Sequence, residues 1–371
     1  MSLPRTLVFG AGAAGKCVDD LLAQGKGRAF VVTSPPTRTL CDDFVSRAGA
    51  IVYDAIDREP TVAMFEAALA AAREAKADAV IGLGGGSAMD VAKLVAAFLG
   101  SDQRVGDVFG IGKLAGRTTY LACLPTTAGT GSEVSPNAIL LDESDQLKKG
   151  VISPHLMPDA AYVDPLLTLG VPPAVTAATG IDALTHCIEA YANKFAHPVI
   201  DLYALEGARL ISANLARAVR KGDDVEARSA LALGSMYGGM CLGPVNTGAV
   251  HALAYPLGGE FHVAHGVSNA VLLPHVLDFN LSAATDRYAT LALALGAERG
   301  ANDEETARRG LDRVRQLSRD CGIPARIREL GVSKTALPRM AKAAMTVTRL
   351  LERNVRELTE RDALDIYRKA F

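Results

Sequence analysis

A change of rhythm part-way along the chain restricts the fold more than any other feature of the sequence. Up to about residue 160, short apolar runs alternate with alanine-rich amphipathic stretches. "TLVFGAG" (6–12), "AFVVTS" (29–34), "AIVYDAI" (50–56) and "DAVIGLGGG" (78–86) read as strands, two of them running into glycines. The stretches between them, 13–24, 37–49 and 61–77, carry apolar residues at helical spacing. This alternation predicts a parallel sheet wrapped by helices. Residues 118–142 add a buried strand, a Thr/Gly/Ser loop and a further strand. Past the two prolines of "VDPLLTLGVPPAV" (163–175) the pattern becomes helical almost to the end, as in 201–222 and 284–297. The sequence therefore predicts an α/β domain over 1–164 and an all-helical domain over 165–371, with the cleft between them as the default ligand site.

Composition narrows the function classes. Among 371 residues, 39 Lys and Arg face 41 Asp and Glu, and no basic cluster stands out, which argues against a nucleic-acid partner. No apolar run is long enough to cross a membrane, and the first residues lack the layout of a secretory signal. Six cysteines lie at 17, 41, 123, 187, 241 and 321 without paired spacing, a pattern of free thiols in a reducing compartment. A cytoplasmic protein is expected.

Two glycine-rich loops compete for a phosphate. In "GLGGGSAMDVAK" (82–93), Gly84, Gly85 and Gly86 let backbone amides approach an anion at the start of a helix. Ser87 and Asp90 supply first-turn polar groups suited to a ribose-phosphate; the alternative is a turn that only closes the strand–helix connection. The earlier "GAGAAG" (10–15) fits a dinucleotide fingerprint, but the acid expected about 20 residues on is missing. Ser34 stands there, so NADP becomes as acceptable as NAD, with Arg38 available to a 2′-phosphate. "PTTAGTGSE" (125–133) is a hydroxyl-rich segment suited to hydrogen-bonding a nucleotide, or else a solvent loop.

"DALTH" (182–186) places Asp182 and His186 one turn apart on a helix, projecting from one face. Four of the seven histidines, His251, His262, His265 and His275, fall within 25 residues further on. A hard oxygen ligand with several imidazoles suits Fe(II) or Zn(II) in a catalytic rather than a structural site.

Together, "GGGSAMDVAK", "PTTAGTGSEV", "GIDALTHCIEAY" and "HALAYPLGG…HGVSNAVLLPHVLDFN" resemble the iron-containing (group III) alcohol dehydrogenases over nearly the whole chain. The resemblance implies an N-terminal nucleotide-binding α/β domain and a helical C-terminal domain, a homodimer, and hydride transfer between a small alcohol or aldehyde and NAD or NADP. It implies Asp182, His186, His251 and His265 as ligands of Fe(II), with Zn(II) an alternative. Gly84, Gly85, Gly86 and Ser87 would hold the pyrophosphate. Asp90, Thr126, Thr127, Thr130, Ser132, Lys149 and Leu167 complete the expected cofactor contacts. One departure concerns the proton route: where relatives carry a His four residues after the third ligand, this chain has Tyr255. With a reference pKa of about 10 it is suited to orienting a substrate, and His262 is the other candidate for proton transfer. Maleylacetate reductase and zinc-dependent glycerol dehydrogenase remain as rivals on the same scaffold. Dehydroquinate synthase would need a cluster of basic residues that the helical motif lacks, and a nucleotide-binding regulator would show no turnover.

Overall fold

The computed structural model of the chain describes every residue except 145 and 146 and divides into two units, Met1–Gly170 and Val171–Phe371. In the first, the strands are β1 (Thr6–Phe9), β2 (Ala29–Val32), β3 (Ile51–Tyr53), β4 (Ala79–Gly84), β5 (Gly110–Ile111), β6 (Tyr120–Pro125), β7 (Asn137–Asp142), β8 (Leu147–Ile152) and β9 (Ala160–Val163). Its helices are α1 (Ala13–Ala23), α2 (Asp42–Ala48), α3 (Val62–Glu74), α4 (Gly86–Phe98) and the short α5 (Val105–Val108). Among the described residues, a six-stranded sheet runs in the order β1-β9-β6-β4-β2-β3, and every pairing in it is parallel. A smaller sheet, β5-β8-β7, carries the antiparallel hairpin β7–β8.

Strand β2 shows why the sheet must be covered on both faces. All four of its residues are buried. Phe30 and Val32 join a core with Phe65, Leu94 and Phe98 of α3 and α4. Ala29 and Val31 point the other way, into a core with Val18, Leu21 and Phe44 of α1 and α2. The period of two sends alternate side chains to opposite helix layers, and each large apolar one contributes about 2 kcal/mol of burial.

Two local expectations are corrected. The helix expected over 37–49 breaks into a 3₁₀ turn, Pro35–Cys41, followed by α2. Pro35 and Pro36 start the turn, and the Thr37 hydroxyl bonds the Ser34 hydroxyl at 2.7 Å and accepts from the Ser34 N–H at 3.3 Å. The domain boundary also moves, from 164 to Gly170. Asp164 caps the turn Pro165–Thr168 through the Leu166 N–H at 3.0 Å, and Leu167 packs on the α1/α2 core, so these residues stay with the first unit.

The second unit contains α6 (Pro173–Tyr191), α7 (Pro198–Arg220), α8 (Val225–Leu242), α9 (Ala249–Phe261), α10 (His265–Asn280), α11 (Thr285–Ala294), α12 (Asp303–Asp320), α13 (Leu337–Ala344), α14 (Thr348–Leu351) and α15 (Glu360–Ala370). Helix α6 is its axis: residues 180–191 are all buried, against α7, α8 and α10. Glycines permit that closeness. A Cβ on Gly207 would stand 2.6 Å from Cys187 Sγ, and one on Gly234 2.7 Å from Ile211 Cγ1. Helix α7 begins earlier than its apolar pattern suggests, because His197 Nδ1 accepts from the Val199 N–H at 3.2 Å and Pro198 suits the first turn.

Candidate active site

The glycine loop lies where β4 delivers the chain to α4, at the centre of the main sheet. Gly85 stands at the helix N-cap without a side-chain cap. The first-turn N–H groups there form an anion-binding end. The loop over 125–133 packs onto this turn. Thr126 N donates to Gly84 O at 2.9 Å, and a Cβ on Gly86 would meet Thr130 Cγ2 at 2.6 Å. A Cβ on Gly85 would have Thr127 Oγ1 3.6 Å away. Thr126, Thr127 and Thr130 therefore gather at the loop with Gly84–Gly86 and Ser87.

Other expected cofactor residues are occupied otherwise. Asp90 accepts from Ser132 Oγ at 2.6 Å and from Ile139 N at 2.9 Å, so both carboxylate oxygens brace α4 against the loop and β7 rather than facing a ribose. Lys149 pairs with Asp142 at 2.7 Å and lies over the Phe109 ring. Leu167, partly buried, packs against the α1/α2 core. The Ser34 hydroxyl is engaged by Thr37, and Arg38 lies near Asp42 and Asp54 at 3.3 and 3.9 Å.

The first glycine loop is filled from within. Gly12 and Ala14 donate their N–H groups to Asp164 Oδ2 at 3.0 and 3.1 Å. Gly10 and Gly12 have φ of 132° and 86°, a conformation that glycine tolerates and that aims these amides at the carboxylate. A side chain thus takes the place that a pyrophosphate takes in a dinucleotide fingerprint.

In the second unit, Asp182 and His186 project from α6, His251 from α9, and His265 from the first residue of α10. Asp182 Oδ1 lies 3.9, 3.6 and 3.7 Å from Nε2 of His186, His251 and His265. These separations are too long for hydrogen bonds. They suit the spacing of about 3.4 Å between ligands held tetrahedrally about 2.1 Å from one ion. Ligand atoms of Asp182, His186 and His251 all lie within 4.8 Å of one another; His265 stands outside that tighter group, half-exposed. Asn269 holds it near, donating to Asp182 Oδ1 at 2.6 Å and approaching His265 Nε2 at 3.1 Å.

The donor set fits a dication on a second count. His251 is buried, and its Nε2 has no hydrogen-bond partner. Its Nδ1 is 2.6 Å from Glu189 Oε2. Asp182 and Glu189 are both buried, and neither pairs with a Lys or Arg among the described residues. Two buried carboxylates with no Lys or Arg call for positive charge, from a bound cation or from the imidazoles themselves. Burial opposes ionisation of Asp182, yet His186, His265 and His251 outweigh it and hold the carboxyl below its ordinary range. Burial likewise opposes the His251 cation, but Asp182 and Glu189 push the ring up to about 9.

Glu189 and Asn269 were not singled out from the sequence. Glu189 lies seven residues after Asp182 and three after His186, on the same helical face, and that spacing is the signal that finds it. Tyr255 follows His251 by one turn, with its ring centroid 6.5 Å from that of His265. Burial raises its hydroxyl pKa, and Arg349 opposes the shift as a charge and hydrogen-bond donor. His262 does not join the cluster: it ends α9 in the left-handed region (φ 53°), exposed to solvent. The proton-transfer role expected for it is therefore not supported by its placement.

Comparison with known proteins gives one family for both units. Residues 4–165 match the family described as "Iron-containing alcohol dehydrogenase", and residues 176–371 match "Fe-containing alcohol dehydrogenase family, C-terminal". The chain is 40% identical over 373 residues to long-chain-alcohol dehydrogenase 1 of Geobacillus thermodenitrificans, covering 98% of this chain and 94% of that protein. The crystal structure of a 1,3-propanediol oxidoreductase superposes with a TM-score of 0.96 at 34% identity, covering 100% of this chain and 98% of that one. That of sulfoacetaldehyde reductase from Bifidobacterium kashiwanohense in complex with NAD+ gives 0.90 at 27% identity, covering 100% and 97%. With both of its units matched, the chain belongs to the iron-containing alcohol dehydrogenase family and is an oxidoreductase.

Proposed function

We propose that the protein is a metal-dependent, NAD(P)-linked alcohol dehydrogenase, or aldehyde reductase in the reverse direction, acting on a small alcohol or its aldehyde. One observation carries this reading: three imidazole Nε2 atoms surround a single Asp182 oxygen at 3.6–3.9 Å, and among the described residues no Lys or Arg pairs with it. Asp182, His186, His251 and His265 are the residues that would hold the ion. When bound, Fe(II) or Zn(II) supplies Lewis acidity toward an alcohol or carbonyl oxygen, and a nicotinamide supplies the hydride acceptor or donor.

The chain's own residues do the rest. Gly84, Gly85, Gly86 and Ser87 present amides and a hydroxyl to a pyrophosphate, with Thr126, Thr127 and Thr130 alongside. Tyr255 keeps its proton at neutral pH and orients the substrate oxygen by donating a hydrogen bond; it is not a relay. A reductase of an oxo acid is the second reading, favoured by Arg349 beside Tyr255, a positive charge with no ion-pair partner among the described residues. In solution we expect a homodimer. The edge strand β1 exposes Leu7 and Phe9 at 37% and 39%, an apolar sheet edge of the kind a second copy covers. A cytoplasmic location agrees with six buried, unbridged cysteines.

The test is metal analysis of protein purified without added metal, joined to an anaerobic panel of alcohols, aldehydes and matched hydroxy and oxo acids with NAD and with NADP. Metal near one per chain and turnover that a chelator abolishes support the reading. Turnover unaffected by complete removal of metal refutes it.

A further inference from the structure

We propose that Glu189 is the positioning residue of the metal centre, setting both the tautomer of His251 and the point at which α9 begins. The inference rests on the metal reading above. Helix α9 starts at Gly248, which has no side chain with which to cap it. The cap comes instead from α6: Glu189 Oε1 accepts from the Val250 N–H at 2.6 Å, and a Cβ on Gly248 would come within 3.3 Å of that same oxygen. The other oxygen, Oε2, lies 2.6 Å from His251 Nδ1. One buried carboxylate therefore ties the helix bearing Asp182 and His186 to the helix bearing His251, through backbone and ring together.

The two bonds make the arrangement directional. The Val250 N–H needs an acceptor, so Oε1 is committed. Oε2 carries no hydrogen as a carboxylate and requires Nδ1 to be the protonated nitrogen. When the ring gives up its second proton, the lone pair is therefore left on Nε2, on the side facing Asp182, where that atom has no hydrogen-bond partner. A carboxylate behind a ligating imidazole also raises the basicity of the ring. Asn193, one turn beyond Glu189, fixes the end of α6 by donating to Glu189 O at 3.0 Å and to Asn246 O at 3.2 Å, so the segment leading to α9 is held as well.

Glu189→Gln gives the sharpest test because it preserves shape. The Val250 N–H keeps the amide oxygen, so the NH₂ must face His251 Nδ1. That reverses the tautomer and places a hydrogen on Nε2. Affinity for Zn(II) and Co(II), measured on the metal-free enzyme by chelator competition, is expected to fall about 10- to 100-fold. Glu189→Asp, which keeps the charge, is expected to lose less, and circular dichroism should show the helices retained in both. Independently of any variant, histidine ¹⁵N shifts of the wild-type Zn(II) enzyme should show His251 coordinated through Nε2 with Nδ1 protonated. A Glu189→Gln affinity within threefold of wild type, or coordination of His251 through Nδ1, overturns the proposal. Wild-type protein that binds neither ion removes the metal reading itself, so the two failures are distinguishable.

Discussion

Glu133 offers a test of the first unit that does not depend on the metal. It sits in the short turn Ser132–Val134, is 2% exposed, and its Oε2 has no hydrogen-bond partner. The nearby Lys93 ammonium is spent on two backbone carbonyls, Ser135 O at 2.8 Å and Asn137 O at 2.9 Å. Burial therefore dominates, opposed by a backbone hydrogen bond and by Lys93, and the carboxyl pKa rises from 4.5 to about 7. A group that holds its proton more tightly when folded contributes stability that is complete below its unfolded pKa. That stability is lost as pH rises through the folded value. The window runs from about pH 4.5 to 7, and at about 1.4 kcal/mol per pH unit the full loss is about 3 kcal/mol. Glu133→Gln removes the titration. Its amide NH₂ has its own desolvation cost, but that cost is the same at every pH and cancels in a comparison. Urea unfolding of both proteins at pH 5 and pH 8, followed by far-UV circular dichroism, measures the difference directly. The variant should gain about 2–3 kcal/mol on wild type between the two pH values. A gain below about 0.5 kcal/mol, or one of opposite sign, would show that the Glu133 carboxyl is not desolvated as the structure implies.

Two further outcomes are expected. Asp182→Ala removes the one carboxylate that all three imidazoles surround; metal per chain should approach zero and turnover should fall beyond the roughly 100-fold typical of an outer contact, while nucleotide affinity measured by calorimetry stays near wild type. Gly86→Ala drives a methyl to within 2.6 Å of Thr130 Cγ2, so nucleotide affinity should fall and the midpoint of thermal unfolding should drop by an amount corresponding to about 1–3 kcal/mol of overpacking. An unchanged nucleotide dissociation constant in that variant would move the pyrophosphate away from this loop.

The parts of the molecule written in local patterns were legible from the sequence. The strand–helix alternation, the glycine turn before α4 and the one-turn spacing of Asp182 and His186 each lie within a few residues of chain. Strands β5, β8 and β9 were not, because they are short or polar and acquire their identity only by pairing: β9 fills the space between β1 and β6. The same holds at the site. Asp90 reads as a first-turn acid facing a ligand, yet its partners, Ser132 and Ile139, arrive from over 40 residues away and turn it inward. Glu189 meets His251 across 62 residues, and nothing local in "CIEAY" announces the contact. Placement on a face follows from spacing, whereas the choice of partner follows from tertiary packing.

The Asp164 carboxylate beneath the first glycine turn has a practical consequence for anyone redesigning coenzyme preference. A fingerprint search would direct mutagenesis to residues 10–15, but the amides there already serve an internal anion that ends the α/β unit and seats its last turn. Changes at that turn would loosen the molecule before they altered which nucleotide it accepts, so the productive targets lie after β2, around Ser34 and Arg38.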